Sequence, residues 1–292
     1  MKISTCLCPT DRILGGEKAV ECVAKAGFDA WDFSLFDMCK YDWRTGGLIQ
    51  SDHPLAGPDD MKLARRMKQV GLDNGIHCNQ AHAPFPTYCG PIRDLCPRAL
   101  ELAAEAGAEI CIVHPDNYKS PEENAEMYAE MIPYAHEYGI KIATENMFGW
   151  DDTLNQATPH ACATPDNFNK HLDMVNDPFF VACLDIGHAE LKGIGTSAVE
   201  MIRALGPRMQ ALHIHDNDCW HDSHQIPFSM NIDFEAVVKA LAEVGYNGYF
   251  TLEADSYLTK FSADEVWERQ KDLAKAARRL ADMFEAYQGQ LK

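Results

Sequence analysis

Short apolar segments alternate with amphipathic segments along the whole chain. Eight segments are typical of β-strands because they are short and rich in apolar residues: 2–7, 28–35, 76–83, 109–115, 140–147, 180–188, 209–216 and 248–255. Between them, apolar residues recur at three- and four-residue spacing, which predicts helices over 16–27, 61–75, 98–108, 122–139, 166–176, 197–206, 234–245 and 263–287. Start and stop signals agree, since Ser120-Pro121 precedes one predicted helix and Gly139 follows it.

This alternation indicates the fold class. Eight strand–helix units in 292 residues predict an α/β protein, a (β/α)₈ TIM barrel that forms a single domain over residues 1–292. A doubly wound sheet is the alternative, but no G-x-G-x-x-G turn follows the first strand. We expect the final helix, 263–287, to cover the barrel, and its apolar stripe could also form a contact in a homo-oligomer.

Composition and charge narrow the class of partner. Hydrophobic residues make up 46% of the chain, enough for a sizeable core. The 44 acidic and 26 basic residues give a net charge of −18, which argues against a nucleic-acid partner because phosphate binding needs a basic surface. The chain has no signal-peptide pattern and no apolar run long enough to span a bilayer, so we expect a soluble, cytoplasmic protein without a membrane partner.

Metal-capable side chains stand near the C-terminal ends of six successive predicted strands. They are His82 on strand three, His114 on strand four, Glu145 on strand five, Asp185 and His188 on strand six, His213 and His215 on strand seven, and Glu253 on strand eight. The active sites of TIM barrels lie at that end. Core packing explains such a set poorly, because a buried charge is costly unless it is paired or bound to metal. We therefore predict a metal site there.

The segment LHIHDND (212–218) shows how a strand can present two histidines to one site. Side chains alternate faces along a strand, so His213 and His215 should point into the barrel. His213 is the deeper and should reach the metal, whereas His215 could either orient a ligand or be one itself. With Glu145, Asp185 and Glu253, His213 makes a set of three carboxylates and one imidazole. That set favours Mn²⁺, with Mg²⁺, Co²⁺ and Zn²⁺ as alternatives.

Seven short motifs together resemble the xylose isomerase-like TIM-barrel superfamily, the sugar phosphate isomerase/epimerase family. They are AHAPF (81–85), IVHP (112–115), TEN (144–146), LDIGHA (184–189), HIHDND (213–218), DSH (222–224) and LEAD (252–255). The resemblance implies metal ligands at Glu145, Asp185, His213 and Glu253, a substrate-binding role for His188, and cavity-lining positions for His82 and His114. Relatives often have a Gly-x-Gly turn where this chain has PFSMNIDF (227–234), which argues against close backbone approach to a substrate phosphate at that loop.

The implied reaction is proton transfer next to a carbonyl, through an enediolate, in a small-molecule sugar or polyol. Glu145 and Glu253 could be the acid–base pair or ligands only, and His188 would hold a hydroxyl or share the transferring charge. His215 and His224 are further candidates for substrate binding. Aromatic residues near the strands should close the pocket: Trp31, Phe33, Phe85, Phe148, Trp150 and Trp220. Of these, Trp150 and Trp220 are the expected substrate contacts because they stand in loops at the catalytic face.

Three alternatives stay open. The first is an apurinic-site endonuclease-like metal phosphodiesterase, because nine residues resemble the three-zinc centre of that family: His82, His114, Glu145, Asp185, His188, His213, Asp222, His224 and Glu253. Against it, the predicted loops 148–163 and 217–231 contain no Lys or Arg. The second is a metal-dependent lyase or deglycosylating enzyme that uses the same proton abstraction. The third is a non-catalytic sugar-binding or regulatory barrel.

Overall fold

Eight parallel strands close into the predicted barrel in the computed structural model, which describes residues 1–291. The strands are β1 (Lys2–Thr5), β2 (Ala30–Ser34), β3 (His77–His82), β4 (Ile110–Ile112), β5 (Lys141–Glu145), β6 (Phe180–Asp185), β7 (Met209–His213) and β8 (Tyr249–Leu252). Strands β2 to β7 form one parallel sheet in sequence order, and β1 pairs with β8. Single parallel bridges, Cys6–Asp32 and Ile214–Leu252, join the two groups at their edges. The TIM-barrel prediction is confirmed.

A long helix lies between each pair of barrel strands, and another follows β8. These helices are α1 (Gly16–Ala26), α2 (Asp60–Asp73), α3 (Cys96–Ala106), α4 (Pro121–Tyr138), α5 (Pro165–Val175), α6 (Ala198–Leu205), α7 (Phe234–Glu243) and α8 (Ala263–Leu291). Helix α8 packs against α7, α1 and the strands β1 and β8. Among residues 1–291, no helix combines the length and the apolar character needed to cross a bilayer.

Capping interactions at both ends of α4 determine where this helix begins and ends. The Ser120 side chain accepts a hydrogen bond from the Glu123 backbone N–H, and the Glu123 carboxylate accepts one from the Ser120 N–H. This capping box satisfies two N–H groups that have no partner within the helix. Gly139 ends the helix in the left-handed region, at φ 67°.

Two β-hairpins at the catalytic face were not predicted. One pairs Lys40–Asp42 with Gly47–Ile49, and the other pairs Phe148–Asp151 with Gln156–Pro159. An aspartate closes each turn: Asp42 accepts a hydrogen bond from the Arg44 N–H, and Asp151 accepts one from the Thr153 N–H. The periodicity of apolar residues predicted no strands in these two segments.

The space inside the barrel, beneath the predicted site, has an apolar half and a polar half. Small buried residues such as Ala143, Cys183 and Ala211 fill it on the side of β5, β6 and β7. On the other side, the Gln80 amide donates to Asp32 (2.9 Å) and the Thr251 hydroxyl to Gln80 (3.2 Å). A hydrogen-bonded polar network thus lies directly behind the ends of the strands that carry the site.

Candidate metal centre

The four predicted metal ligands meet at the carboxyl ends of β5, β6, β7 and β8. One ligand atom from each of Glu145, Asp185, His213 and Glu253 lies within 4.8 Å of the corresponding atoms of the other three. All four side chains are buried. Residues separated by up to 108 positions in the sequence thus form one compact group, because parallel strands of a barrel end at the same rim.

One ring nitrogen of His213 faces two of these carboxylates. The other ring nitrogen faces a carboxylate that lies outside the four-residue group. His213 Nδ1 lies 3.0 Å from Glu145 Oε1 and 3.4 Å from Glu253 Oε2. Its Nε2 lies 3.5 Å from Oδ2 of Asp32, a buried residue of β2. A histidine that binds metal through one nitrogen commonly directs its other N–H at such a carboxylate. The arrangement points the Nδ1 lone pair into the centre.

His82 and His114 stand on the other side of Glu145. Their Nε2 atoms are 2.9 Å apart, and His114 Nε2 lies 3.1 Å from Glu145 Oε2. The His82 ring also stacks on His213, with centroids 5.5 Å apart. Glu145 is therefore shared between this pair and the four-residue group.

A further donor group adjoins the centre on the side of Asp185. It consists of His188, His215, Asp222 and His224, whose ligand atoms lie within 4.8 Å of one another. His215 Nε2 lies 3.2 Å from Asp185 Oδ1 and 3.4 Å from Asp222 Oδ1, which places it between the two groups. The His215 ring stacks on His224 with centroids 3.9 Å apart.

The loop after β6 places His188 through hydrogen bonds to backbone groups. The Asp185 carboxylate accepts from the His188 N–H (2.7 Å) and so caps the short helix Ile186–Ala189. Asn146 accepts from the Asp185 N–H and donates to the Asp185 carbonyl, and its own carbonyl lies 2.9 Å from His188 Nδ1. Gly187 is required here because a Cβ at this position would overlap the His215 ring.

The Asp216 carboxylate stabilises the loop that follows β7. It accepts hydrogen bonds from the N–H groups of Asn217, Met230 and Ile232. This stabilises the segment that carries Asp222 and His224. The nearest carboxylates to the His215 imidazole are those of Asp185 and Asp222.

Carboxylates and imidazoles at the centre stabilise each other's charged forms. Burial opposes ionisation of Glu145, but His213 and His114 outweigh it and hold its pKa well below the ordinary value. Burial likewise disfavours a charged His188, yet Asp185 and Asp222 raise its pKa to about 10. By contrast, burial beside His82 lowers the pKa of His114 to about 4.

The donor atoms fit a divalent cation. Several buried polar atoms at the centre have no hydrogen-bond partner within residues 1–291, namely Asp185 Oδ2, His215 Nε2 and Asp222 Oδ1. Buried carboxylates and imidazoles that converge in this way are costly unless a cation pairs with them. Three carboxylates and an imidazole are ligands that Mn²⁺, Co²⁺ and Zn²⁺ accept.

The two predicted tryptophan contacts lie in different environments. Trp150 belongs to the second hairpin and lines a cleft that reaches His114. Trp220 does not line that cleft, and the Lys192 ammonium lies 4.0 Å from its ring centroid. A cation thus approaches the loop 217–231 from another part of the chain, which a count of charges within the loop did not show.

The structure corrects the expectation for strand β2. Trp31 and Phe33 pack edge-to-face in the main hydrophobic core, fully buried, and they do not close the pocket. The residue between them, Asp32, faces the barrel interior and approaches His213. Asp32 is not among the predicted site residues, although an aspartate between two apolar residues of a strand is the period-two signal that could have revealed it.

Residues 20–287 match the family model described as xylose isomerase-like TIM barrel. The chain belongs to this family. A protein of Methanocaldococcus jannaschii described as uncharacterised is 30% identical over 267 residues, which cover 85% of this chain and 82% of that protein.

Two solved structures show how closely the fold is shared. A D-tagatose 3-epimerase-like protein is 21% identical, with a TM-score of 0.72 and coverage of 100% of both chains. The IOLI protein, solved with a bound zinc atom, is 18% identical, with a TM-score of 0.68 and coverage of 98% of this chain and 99% of that one. At these identities the comparisons establish the architecture alone.

Proposed function

We propose that this protein is a metal-dependent sugar isomerase or epimerase that moves a proton at a carbon next to a carbonyl. The observation that carries the proposal is the group formed by Glu145, Asp185, His213 and Glu253, in which three carboxylates and one imidazole come within 4.8 Å of one another. These four residues would hold a divalent ion, Mn²⁺ by preference. Such an ion acidifies the C–H beside a carbonyl and offsets the negative charge left when the proton departs.

Glu145 and Glu253 are the candidates for proton transfer. They come from β5 and β8, on either side of His213, and both are buried. Their environments differ, because the surrounding imidazoles lower the pKa of Glu145 against the effect of burial, whereas burial raises the pKa of Glu253. Two acidic groups whose pKa values are pushed apart can divide the roles of base and acid.

The histidines around these glutamates would bind substrate hydroxyls. Against the effect of burial, Asp185 and Asp222 raise the pKa of His188 in the metal-free protein, and its imidazole would hold a hydroxyl or an oxygen that gains charge during the reaction. His114 stays neutral, and it stands where the centre meets the cleft. His82, His215 and His224 complete the wall of donors around the centre.

The comparisons support this substrate class and a metal requirement. The D-tagatose 3-epimerase-like structure has the name of a sugar epimerase, and the IOLI structure contains zinc. Both features agree with our proposal of a metal-dependent enzyme of carbohydrate metabolism.

The test is deuterium exchange from solvent into a panel of ketoses, aldoses and polyols, read by NMR with the protein stripped of metal and then reloaded with Mn²⁺, Co²⁺ or Zn²⁺. We expect exchange with at least one sugar, only in the reloaded protein. Glu145→Gln and Glu253→Gln should each lower the rate by at least about 10²-fold, the scale of general acid–base catalysis. Exposed Glu137→Gln on α4 is the matched control. Exchange that survives both active-site substitutions, or that needs no metal, would exclude the proposed mechanism.

One observation favours a second candidate, a metal phosphodiesterase. The structure brings all nine residues of the predicted multi-metal set into three adjoining groups, with Glu145 shared between two of them. Elemental analysis and cleavage of DNA that contains an abasic site test this candidate together. Three metal ions per chain with salt-sensitive cleavage would support the phosphodiesterase, whereas an inert DNA substrate would leave the sugar enzyme.

A further inference from the structure

An aromatic cleft of about 440 Å³ opens beside the metal centre. Its walls include the rings of Trp43, Phe85, Tyr88, Tyr118, Phe148 and Trp150. Trp43 lies between the strands of the first hairpin and Trp150 lies on the second. The two unpredicted hairpins therefore both contribute to the aromatic cleft.

The aromatic cleft borders the metal centre at one histidine. His114 lines the cleft, and its Nε2 lies 3.1 Å from Glu145 Oε2. The ring centroids of Phe85 and His114 are 4.9 Å apart, and those of Trp43 and Phe85 are 6.5 Å apart. A molecule that reaches the centre with one end can thus rest its other end against these rings.

The outer rings are exposed to an unusual degree. Trp43 is 66% exposed, Tyr118 is 72% exposed and Trp150 is 40% exposed. Scattered apolar residues are common on protein surfaces, but a group of large rings around a concave site is typical of ligand binding. Rings in this arrangement offer flat faces for a second ring to stack on.

Three residues that line the aromatic cleft have polar atoms without partners. Thr87 Oγ1, Asn117 Oδ1 and His160 Nδ1 are buried and have no hydrogen-bond partner within the described residues. The Thr87 side chain is almost wholly buried. Each of these atoms has an energetic cost, because a buried polar group without a hydrogen bond has lost its solvation.

The lining carries no fixed charge. Among the described residues that line the aromatic cleft, none is Lys, Arg, Asp or Glu. Burial lowers the pKa of the His160 imidazole, which is therefore neutral at pH 7. A phosphate would find no cation to pair with here, so the cleft fits an uncharged group.

We propose that the substrate is an uncharged glycoside whose reacting sugar has a ketone at a ring carbon, with that sugar at the metal centre and a second ring held in the aromatic cleft. The proposal rests on the proposed function, because it takes the sugar at the centre as given. Both an aromatic group and a second sugar present a flat apolar face to tryptophan and tyrosine. The two sources share that chemistry and are separated by experiment.

The test is calorimetric titration of the Mn²⁺-loaded protein with D-glucose, phenyl β-D-glucoside, cellobiose and glucose 6-phosphate. We expect one of the two-ring compounds to bind at least about tenfold more tightly than glucose, the scale of one stacked ring pair. Tighter binding of phenyl glucoside identifies an aromatic group, and tighter binding of cellobiose identifies a second sugar. Equal affinity for glucose and both two-ring compounds, or tightest binding of glucose 6-phosphate, would overturn the proposal.

Substitutions test whether the aromatic cleft is responsible for the tighter binding of two-ring compounds. Trp43→Ala and Trp150→Ala should each reduce the ratio of two-ring to glucose affinity at least threefold, and both side chains are exposed enough for the fold to survive. Tyr134→Ala, on the outer face of α4, is the matched control and should keep the ratio. A ratio that neither tryptophan affects would place the second ring elsewhere and refute the assignment of the cleft.

Failure of this proposal can be told apart from failure of the proposed function. The calorimetric titration measures binding and does not require catalysis. Deuterium exchange measures catalysis and can be observed with a free sugar that has no second ring. Exchange into free sugars with an affinity ratio near one would reject the glycoside and keep the enzyme. A high ratio that depends on Trp43, without exchange into any free sugar or keto-glycoside, would keep the cleft and reject the enzyme.

Discussion

The direction of single hydrogen-bonding groups decides what each histidine at the centre can do. His213 directs Nδ1 at Glu145 and Glu253, while its Nε2 approaches Asp32. Asp32 in turn accepts a hydrogen bond from Gln80, which holds the carboxylate in place. A ligand is thus oriented by a residue that does not itself belong to the four-residue group.

Asp32→Asn should weaken metal binding about 10- to 100-fold, because a neutral amide attracts the His213 Nε2–H less strongly than a carboxylate does. The dissociation constant is measured by competition with a chromogenic chelator. The control is Asp152→Asn, at an exposed position between the strands of the second hairpin. Unchanged affinity in a folded Asp32→Asn protein would mean that Asp32 does not orient the ligand.

Gly187→Ala should displace the His215 ring, since the added methyl group would overlap it. Forced packing of this kind costs about 1–3 kcal/mol of unfolding free energy. Urea denaturation measures the cost, and Gly289→Ala, where a Cβ meets nothing within 4 Å, is the control. Equal stability of the two variants would contradict the close contact.

At the scale of elements, an outer helix positions the strand ends that carry the site. The Tyr128 hydroxyl of α4 donates to the Val113 carbonyl (2.8 Å) and lies 2.9 Å from Thr144 Oγ1. Val113 precedes His114, and Thr144 precedes Glu145. One buried hydroxyl therefore connects α4 to both strands at the point where they enter the centre.

Tyr128→Phe should lower the free energy of unfolding by about 1–3 kcal/mol, because it leaves buried oxygens without a donor. Tyr134→Phe on the same helix, where the side chain is partly exposed, should cost much less. Denaturant titrations of the two variants provide the comparison. A similar loss in both would show that the Tyr128 hydroxyl has no special contribution.

At the scale of the whole molecule, the acidic chain concentrates buried carboxylates at one end of the barrel. Without metal, protonated histidines balance them: burial opposes the charged form, but Asp185 and Asp222 raise the pKa of His188 to about 10, from an ordinary 6.5. A group whose pKa is raised by folding stabilises the folded state fully below its unfolded pKa. That contribution declines as pH rises towards the folded value.

We therefore expect the metal-free protein to lose stability between pH 6.5 and about pH 10. Bound metal should oppose the loss, because its ligands must be deprotonated and its affinity rises with pH. Urea unfolding with and without a chelator across this range measures both effects. The slope should be flatter in metal-free His188→Asn. Rising metal-free stability over the same range would contradict the assigned pKa shift.

Local pattern determined the barrel and most of the candidate centre. Apolar residues recur with a period of two in strands and of 3.6 in helices. The eight strand–helix units could therefore be predicted from the sequence alone. The rule that parallel strands end at one rim then brought Glu145, Asp185, His213 and Glu253 together, and the structure shows them within 4.8 Å.

Only the tertiary structure decided which neighbours complete the site. Asp32 reaches His213 across the closed barrel, and two hairpins bring Trp43 and Trp150 to one cleft. These contacts depend on which face of β2 turns inward and on how irregular loops fold over the rim. Such distances are set by closure of the barrel and by side-chain packing, which the periodicity of a single chain does not record.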